Sequence, residues 1–432
     1  MKYSFDEKID RTGNHAAKWE EMGKKFISND LWPMWIADMD LKTAPEIIDA
    51  MREKVEQGIF GYVYRPDSYY KAAADWLERR FGYKIDPATL INSPGVVPTL
   101  SLLVRGMTKP GEKILIQSPV YYPFAATIKD NGREVIENKL VKDDTGYYTI
   151  DFEDFEQKVS DENVNLFILC SPHNPVGRVW RREELQKMSD LCLKYKVRVI
   201  ADEIWRDMVM PGYKHIPVAS LGKEIEDNTI TCFSPTKTFN IAGLQASFVT
   251  FPRREEWEKF DNELGILDIK RNSPFSLVAF ETGYEKCDEW VDQLIEHLNG
   301  NMDYVIKFVE EKIPEVKVKK PEGTYLMWLD FSALGLSKEE LSKFMQEECK
   351  IALDDGYWFG ENGIGFERMN IACPRYMVAE GMNRIEKGIK KGISQILLNL
   401  LKNGADIEML IKSSGLSRGE ILSLQETCSV KH

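Results

Sequence analysis

Ser234-Pro235-Thr236-Lys237-Thr238-Phe239-Asn240-Ile241-Ala242-Gly243-Leu244 follows directly on the apolar run Ile230-Thr231-Cys232-Phe233. The run reads as a buried strand, which puts Lys237 at a strand end with hydroxyl side chains at Ser234 and Thr236 just before it. Burial disfavours an ammonium relative to the neutral amine. A neutral amine is a nucleophile that condenses with an aldehyde, and the two hydroxyls offer hydrogen bonds to an anion such as phosphate beside it. A lysine that merely closes a strand end is the competing reading of this stretch on its own.

Working outward, the preceding strand signal is Val197-Arg198-Val199-Ile200-Ala201-Asp202-Glu203-Ile204-Trp205. A carboxylate at the end of an apolar strand is costly unless it is paired, so Asp202 calls for a cation or, alternatively, for a helix to cap. Strands at 112–117, 134–140, 165–170, 197–202 and 230–233 alternate with helices at 152–159 and from 183 onward. That alternation predicts a mostly parallel sheet covered by helices on both faces, with ligands at the C-terminal strand edges.

The loops at those edges carry the remaining polar candidates. Ser118-Pro119-Val120-Tyr121-Tyr122-Pro123 presents two aromatic rings, and Tyr121 has a face on which a flat heterocycle can stack. Ser171-Pro172-His173-Asn174-Pro175-Val176-Gly177 holds Asn174 close to two prolines that restrict the backbone. Ile91-Asn92-Ser93-Pro94-Gly95-Val96-Val97-Pro98 predicts a turn and then a helix to about 107, so that the amides of Val96 and Val97 form an anion site at a helix N-terminus; a plain turn is the alternative.

Helical spacing of Ile47, Ile48, Met51 and Val55, with Pro45 in the first turn and Gly58 at the end, predicts a helix over 43–57. A second helix ends near 81. Beyond the sheet, a long helix over 285–313 leads to strands at 316–319 and 324–330, a helix opened by the capping box Ser337-Lys338-Glu339-Glu340, and a strand reaching 375. The expected organisation is an N-terminal arm (1–45), a large α/β domain (46–285), a smaller α+β domain (286–391) and a helical appendage (392–432).

Composition narrows the function classes. Of 432 residues, 43% are hydrophobic and 29% charged, which marks a globular chain long enough for more than one core. A net charge of −12 opposes nucleic acid and anionic membrane surfaces, so any phosphate must be held locally. No run of about 18 apolar residues suits a membrane span. Seven scattered cysteines without Cys-x-x-Cys spacing fit reduced thiols in a cytoplasm.

The stretch around Lys237 resembles the cofactor-lysine motif of the class I/II aminotransferase superfamily, the pyridoxal-phosphate enzymes of fold type I. Within it, Pro33-Met34-Trp35-Ile36-Ala37-Asp38-Met39-Asp40, the Asn-Pro-x-Gly motif at Asn174, and Gly356-Tyr357-Trp358-Phe359-Gly360 through Gly365-Phe366-Glu367-Arg368 to Pro374-Arg375 most resemble the C–S lyase (cystathionine β-lyase) branch. The resemblance spans residues 32–391 and implies a mostly parallel, seven-stranded sheet with a smaller α+β domain.

It further implies that Lys237 carries pyridoxal 5'-phosphate, that Asp202 faces the pyridine nitrogen, that Tyr121 stacks on the ring and that Asn174 meets the ring oxygen. Ser234, Thr236, Val96 and Val97 would surround the phosphate, and Tyr62 would reach the phosphate of the neighbouring subunit in a homodimer with shared active sites. Arg375, Asn174, Ala37 and Tyr122 would face an amino-acid substrate, Arg375 clamping its α-carboxylate. Gln245 stands where many members have a phosphate-binding arginine, and Trp205 where they have a tyrosine, which points away from the transaminases. The implied reaction is β-elimination from cystathionine or a related cysteine S-conjugate to a thiol, pyruvate and ammonia. Transamination is the alternative, and a regulator that keeps the cofactor fold is a third. Residues 393–432 faintly resemble a helix-turn-helix, but their basic and acidic side chains balance, so nucleic acid is not the expected partner.

Overall fold

The computed structural model describes residues 3–402 and, beyond them, only 405–407, 418–419 and 422; inside the last helix the side chains of 393, 395, 396, 398–400 and 402 are also undescribed. A seven-stranded sheet forms its centre. In spatial order the strands are Leu90–Ser93, Ser247–Thr250, Thr229–Phe233, Arg198–Asp202, Val164–Cys170, Lys113–Ile116 and Glu134–Glu137. Six of the seven run in the same direction, and Ser247–Thr250 pairs antiparallel with both of its neighbours. The central strands are buried at every position but Asn165, as expected of a sheet covered on both faces.

The register places Asp202 opposite Cys170 on one side and Cys232 on the other. The strand ends preceding Asn174 and Lys237 are therefore level with Asp202. The chain leaves all three at the same edge.

Local chemistry sets the helix ends. Pro45–Glu56 begins on a proline, Phe152–Val159 is capped by Asp151, whose side chain accepts from the amides of Glu153 and Asp154, and Ser337 with Glu340 completes the expected capping box. Val96–Met107 starts two residues earlier than its proline suggests, because Gly95, at φ 146°, turns the chain sharply before it; an L side chain rarely adopts that conformation. The strand expected over 134–140 stops at Glu137. Val141–Lys142 pairs instead with Tyr148–Thr149 across a turn held by the Asp143 carboxylate, which accepts from the amides of Thr145 and Tyr147.

The long helix Asp288–Lys312 packs against a second sheet of four strands, Lys317–Val318, Leu326–Asp330, Phe366–Asn370 and Asp354–Asp355. The N-terminal segment is pinned to this part of the molecule. Trp32–Pro33 pairs parallel with Ile351–Ala352, and Asn370 donates to the carbonyls of Ile36 (2.7 Å) and Asp38 (2.6 Å). Lys18, fully buried, pairs with Asp40 at 2.5 Å, and Arg11 reaches both Asp38 and Asp40.

The last helix, Arg375–Lys402, runs unbroken through position 392, so the segment expected to form an appendage begins inside a helix whose Leu397 is buried. The helix-turn-helix outline lies mostly outside the described residues. Among those described, no helix is long and apolar enough to cross a membrane, and the six described cysteines are free and buried.

Candidate active site

Four loops after parallel strands converge on a cavity of about 420 Å³, within the range of small-molecule sites. It is lined by Ala37, Tyr121, Asn174, Asp202, Lys237 and Arg368, with Val96, Val97, Trp205, Thr236 and Gln245 around them. The loops brace one another: the Tyr121 amide donates to the Asn174 carbonyl at 3.0 Å, and the Ser171 amide to that of Asp202 at 2.9 Å.

Lys237 sits on the short helix Pro235–Thr238. Ser234 caps it, accepting from the Thr236 amide at 3.1 Å and donating to the Ala246 carbonyl at 2.7 Å. The Lys237 amine donates to the Ala37 carbonyl at 2.5 Å, an oxygen shared with the Tyr325 hydroxyl at 3.0 Å. Burial is the main cause that lowers this amine from 10.5 to about 8, aided by Arg368 and opposed by Asp38 and Asp202. Asn240 closes the arrangement, its side chain bonding Met39 and Leu41 through three backbone contacts.

Asp202 ends its strand almost wholly buried and accepts from the Ile204 amide at 3.1 Å. Burial raises its carboxyl from 3.8 to about 7, with Glu203 adding to the rise and the Ile204 amide and Lys237 working against it. Glu203 faces away, to His215 at 3.1 Å and the Val218 amide at 2.9 Å, as strand alternation requires. A buried acid and a buried amine that influence each other across one cavity are a concentration of perturbed groups typical of functional sites.

The structure places several expected site residues elsewhere. Arg375 does not line the cavity: it opens the last helix, donates to Asn301 Oδ1 at 2.6 Å and lies 5.1 Å from the Tyr304 ring centre. The arginine at the cavity is Arg368, from the buried strand Phe366–Asn370; it donates to Asn174 Oδ1 at 3.0 Å and to the Trp35 carbonyl at 3.3 Å, and pairs with Asp354. Strand alternation sends Arg368 and Asn370 to one face, where both grip the N-terminal segment. Sequence reasoning passed over Arg368, although a charge inside an apolar strand is the same signal that singled out Asp202. Asp354 was missed for want of any local pattern.

Ser234 lies behind Thr236 rather than on the cavity, and Tyr62 is 90% exposed with the Arg271 guanidinium 4.4 Å from its ring centre. Ala37 is present at the cavity through a carbonyl that receives the lysine. Tyr122 forms the outer wall with Trp358 and Phe359, ring centres 6.1 and 5.7 Å away. His173 is buried behind the site on the Pro119 carbonyl at 2.9 Å, and burial lowers it to about 4.

Pyridoxal 5'-phosphate fits these residues. The first-turn amides of Val96 and Val97 have no acceptor within the helix, and with Thr236 they form a cradle for a phosphate; Tyr121 gives a flat wall, Asp202 a buried carboxylate for a pyridinium, and Lys237 an amine that gives up its proton more readily than a free lysine. Fold and cavity together define a pyridoxal-phosphate enzyme of fold type I. The chain belongs to the class I and II aminotransferases, whose family model matches residues 35–385.

Within that family it is similar to cystathionine β-lyase PatB of Bacillus subtilis, 42% identical over 89% of this chain and all of the relative. Among solved structures it is similar to a pyridoxal-phosphate-bound protein of Clostridium difficile 630, provisionally named an aminotransferase (51% identity, TM-score 0.89, covering 90% of this chain and 100% of that one). The pyridoxal-phosphate-bound C–S lyase of Staphylococcus hominis is a further neighbour (33% identity, TM-score 0.84, 90% and 98% covered).

Proposed function

We propose that this chain is a pyridoxal-phosphate-dependent C–S β-lyase that cleaves cystathionine or a related cysteine S-conjugate to a thiol, pyruvate and ammonia. The observation that carries the lyase reading over transamination is the similarity to a cystathionine β-lyase along that relative's whole length. When bound, pyridoxal phosphate supplies the electron-withdrawing ring that makes a substrate Cα–H acidic.

The chain's own residues do the rest. Arg368, held by Asn174 and Asp354, offers its planar fork to the substrate α-carboxylate. This role passes to it from Arg375, which lies away from the cavity. Asn174 and the Ala37 region complete that contact. Lys237, with its amine tuned to about 8, takes the Cα proton near neutral pH, where a base of that strength is effective. Asp202 would pair with the cofactor's pyridine nitrogen in its protonated form, and Tyr121 would give the ring a face to stack on. The thiolate departs from Cβ, and water completes the conversion to pyruvate and ammonia.

A homodimer is part of the same reading. Ile59, Phe60, Tyr62 and Tyr64 are 76, 56, 90 and 81% exposed on one short stretch, an apolar surface of the kind that partners cover. Tyr62 then reaches the phosphate of the neighbouring site. The arm and domain boundaries at 45, 285 and 391, and a cytoplasmic location, complete the proposal. Incubation of the holoenzyme with L-cystathionine should release pyruvate without added keto acid. The provisional name of the Clostridium difficile neighbour favours transamination as the second reading, and a keto-acid-dependent half-reaction without pyruvate would establish that instead.

A further inference from the structure

The outer wall of the cavity carries a carboxylate that the reaction above does not consume. Asp354 lies directly opposite Arg368 in antiparallel register, so the two side chains share a face and pair across the strands. Asp354 is 2% exposed. One of its oxygens accepts from Arg368, and the side chain lines the cavity. Burial raises this carboxyl to about 6, with Arg368 and Lys25 favouring its charge. The phenols of Tyr121 and Tyr122 both sense it.

A count of charges shows what the site lacks. Before substrate arrives, Arg368 and Asp354 balance. When Arg368 also takes an α-carboxylate, two anions share one guanidinium in a buried place, an arrangement that is costly until a further cation enters. The Lys25 amine is 5.7 Å from the ring centre of Tyr122, which lines the cavity, and 5.2 Å from that of Trp358. Lys25 is exposed, and its charge favours the ionised form of Asp354.

Building on the lyase reading, we propose that Asp354 and Lys25, both close to the Tyr122 ring, form a subsite for a second amino-acid group on the sulfur side of the substrate: Asp354 takes its ammonium and Lys25 its carboxylate. The enzyme then selects S-conjugates whose leaving thiol is itself a zwitterionic amino acid over simple S-alkyl cysteines. An S-substituent with a carboxylate alone meets Asp354 as a like charge and is rejected, which is specificity by repulsion as well as attraction.

The test is pyruvate formation by the holoenzyme from L-cystathionine, S-(2-aminoethyl)-L-cysteine, S-ethyl-L-cysteine and S-(2-carboxyethyl)-L-cysteine. In the wild type, kcat/KM for the aminoethyl substrate should exceed that for the ethyl one by about tenfold, and the carboxyethyl substrate should be poorest. Asp354→Asn should erase the aminoethyl preference and improve the carboxyethyl substrate relative to the ethyl one. Lys25→Met, at an exposed position, should lower cystathionine relative to the aminoethyl substrate by about threefold, the size of an exposed ion pair. An equal loss for all four substrates in Asp354→Asn would show that Asp354 only holds Arg368, and no aminoethyl preference in the wild type would also overturn the subsite. If no substrate yields pyruvate, the lyase reading fails on its own. The subsite is then read from the concentrations of the four amino acids that half-saturate the change in cofactor absorbance, where the same order is expected and its absence refutes the proposal.

Discussion

Replacing Lys237 by Met in the apoprotein should stabilise the fold at pH 6 and not at pH 10. The wild-type amine titrates near 8 in the folded chain and at 10.5 when unfolded, chiefly because of burial. Between those values the unfolded chain binds a proton that the folded chain does not, so wild-type stability rises with pH across that window. Below pH 8 the full penalty stands, about 3 kcal/mol at 1.36 kcal/mol for each tenfold change in proton affinity. Methionine has no such penalty, but it forgoes the hydrogen bond to the Ala37 carbonyl, worth about 1 kcal/mol. The variant apoprotein should therefore be about 2 kcal/mol more stable than wild type at pH 6. That advantage should shrink by about 3 kcal/mol by pH 10, where most of the wild-type penalty is relieved. Urea denaturation of both apoproteins at the two pH values measures the difference and cancels every other titrating group. At pH 6 the Asp202 carboxyl, raised to about 7, is mostly protonated and adds little. A variant less stable than wild type at pH 6, with a difference that does not move with pH, would refute the assignment of Lys237 as a buried amine held at a cost.

The other expectations test the remaining parts of the site. Asp202→Asn should abolish most turnover of the holoenzyme, by about a thousandfold, while its apoprotein gains stability at pH 7.5; because the Asp202 carboxyl is raised from 3.8 to about 7, wild-type stability falls as pH climbs through that window, and the two denaturation curves should converge near pH 4. Arg368→Ala should cut kcat/KM by about a hundredfold, mostly through KM, the usual scale for a buried charge partner, whereas Arg375→Ala should stay within about threefold; steady-state kinetics of the two variants decides between the arginines. Ile59→Asp combined with Phe60→Asp should shift sedimentation from dimer to monomer and lower activity through loss of the partner's Tyr62. Gly356→Ala would place a methyl 2.1 Å from the Gly363 carbonyl oxygen and 2.5 Å from that of Phe366, so thermal or urea denaturation should show a loss of about 3 kcal/mol from overpacking.

Local patterns carried much of this protein into view. Strand and helix alternation across 112–233 announced the parallel sheet because each element is one unbroken run of a single periodicity. Asp202 and Lys237 were legible for a related reason: a charged residue at the end of an apolar strand stands out against its neighbours, and parallel connections bring such ends to one edge. The capping box at Ser337 and the proline start at Pro45 were equally local.

What escaped depends on contacts between segments far apart in the chain. Arg368 and Arg375 are seven positions apart in one motif, and only the burial of Phe366–Asn370 in a sheet, against the exit of Arg375 into a helix beside Asn301, separates their tasks. The antiparallel strand Ser247–Thr250 and the hold of Asn240 on Met39 and Leu41 likewise arise from pairing partners that short-range periodicity does not encode. The amino-acid order by itself determined the fold class, the strand-end position of Lys237 and the acid that shares its sheet edge, since these follow from local hydrophobic period and chain direction. Tertiary structure alone decided which arginine reaches the cavity and that Asp354 stands beside it, because a side chain's surroundings depend on which distant strands become its neighbours.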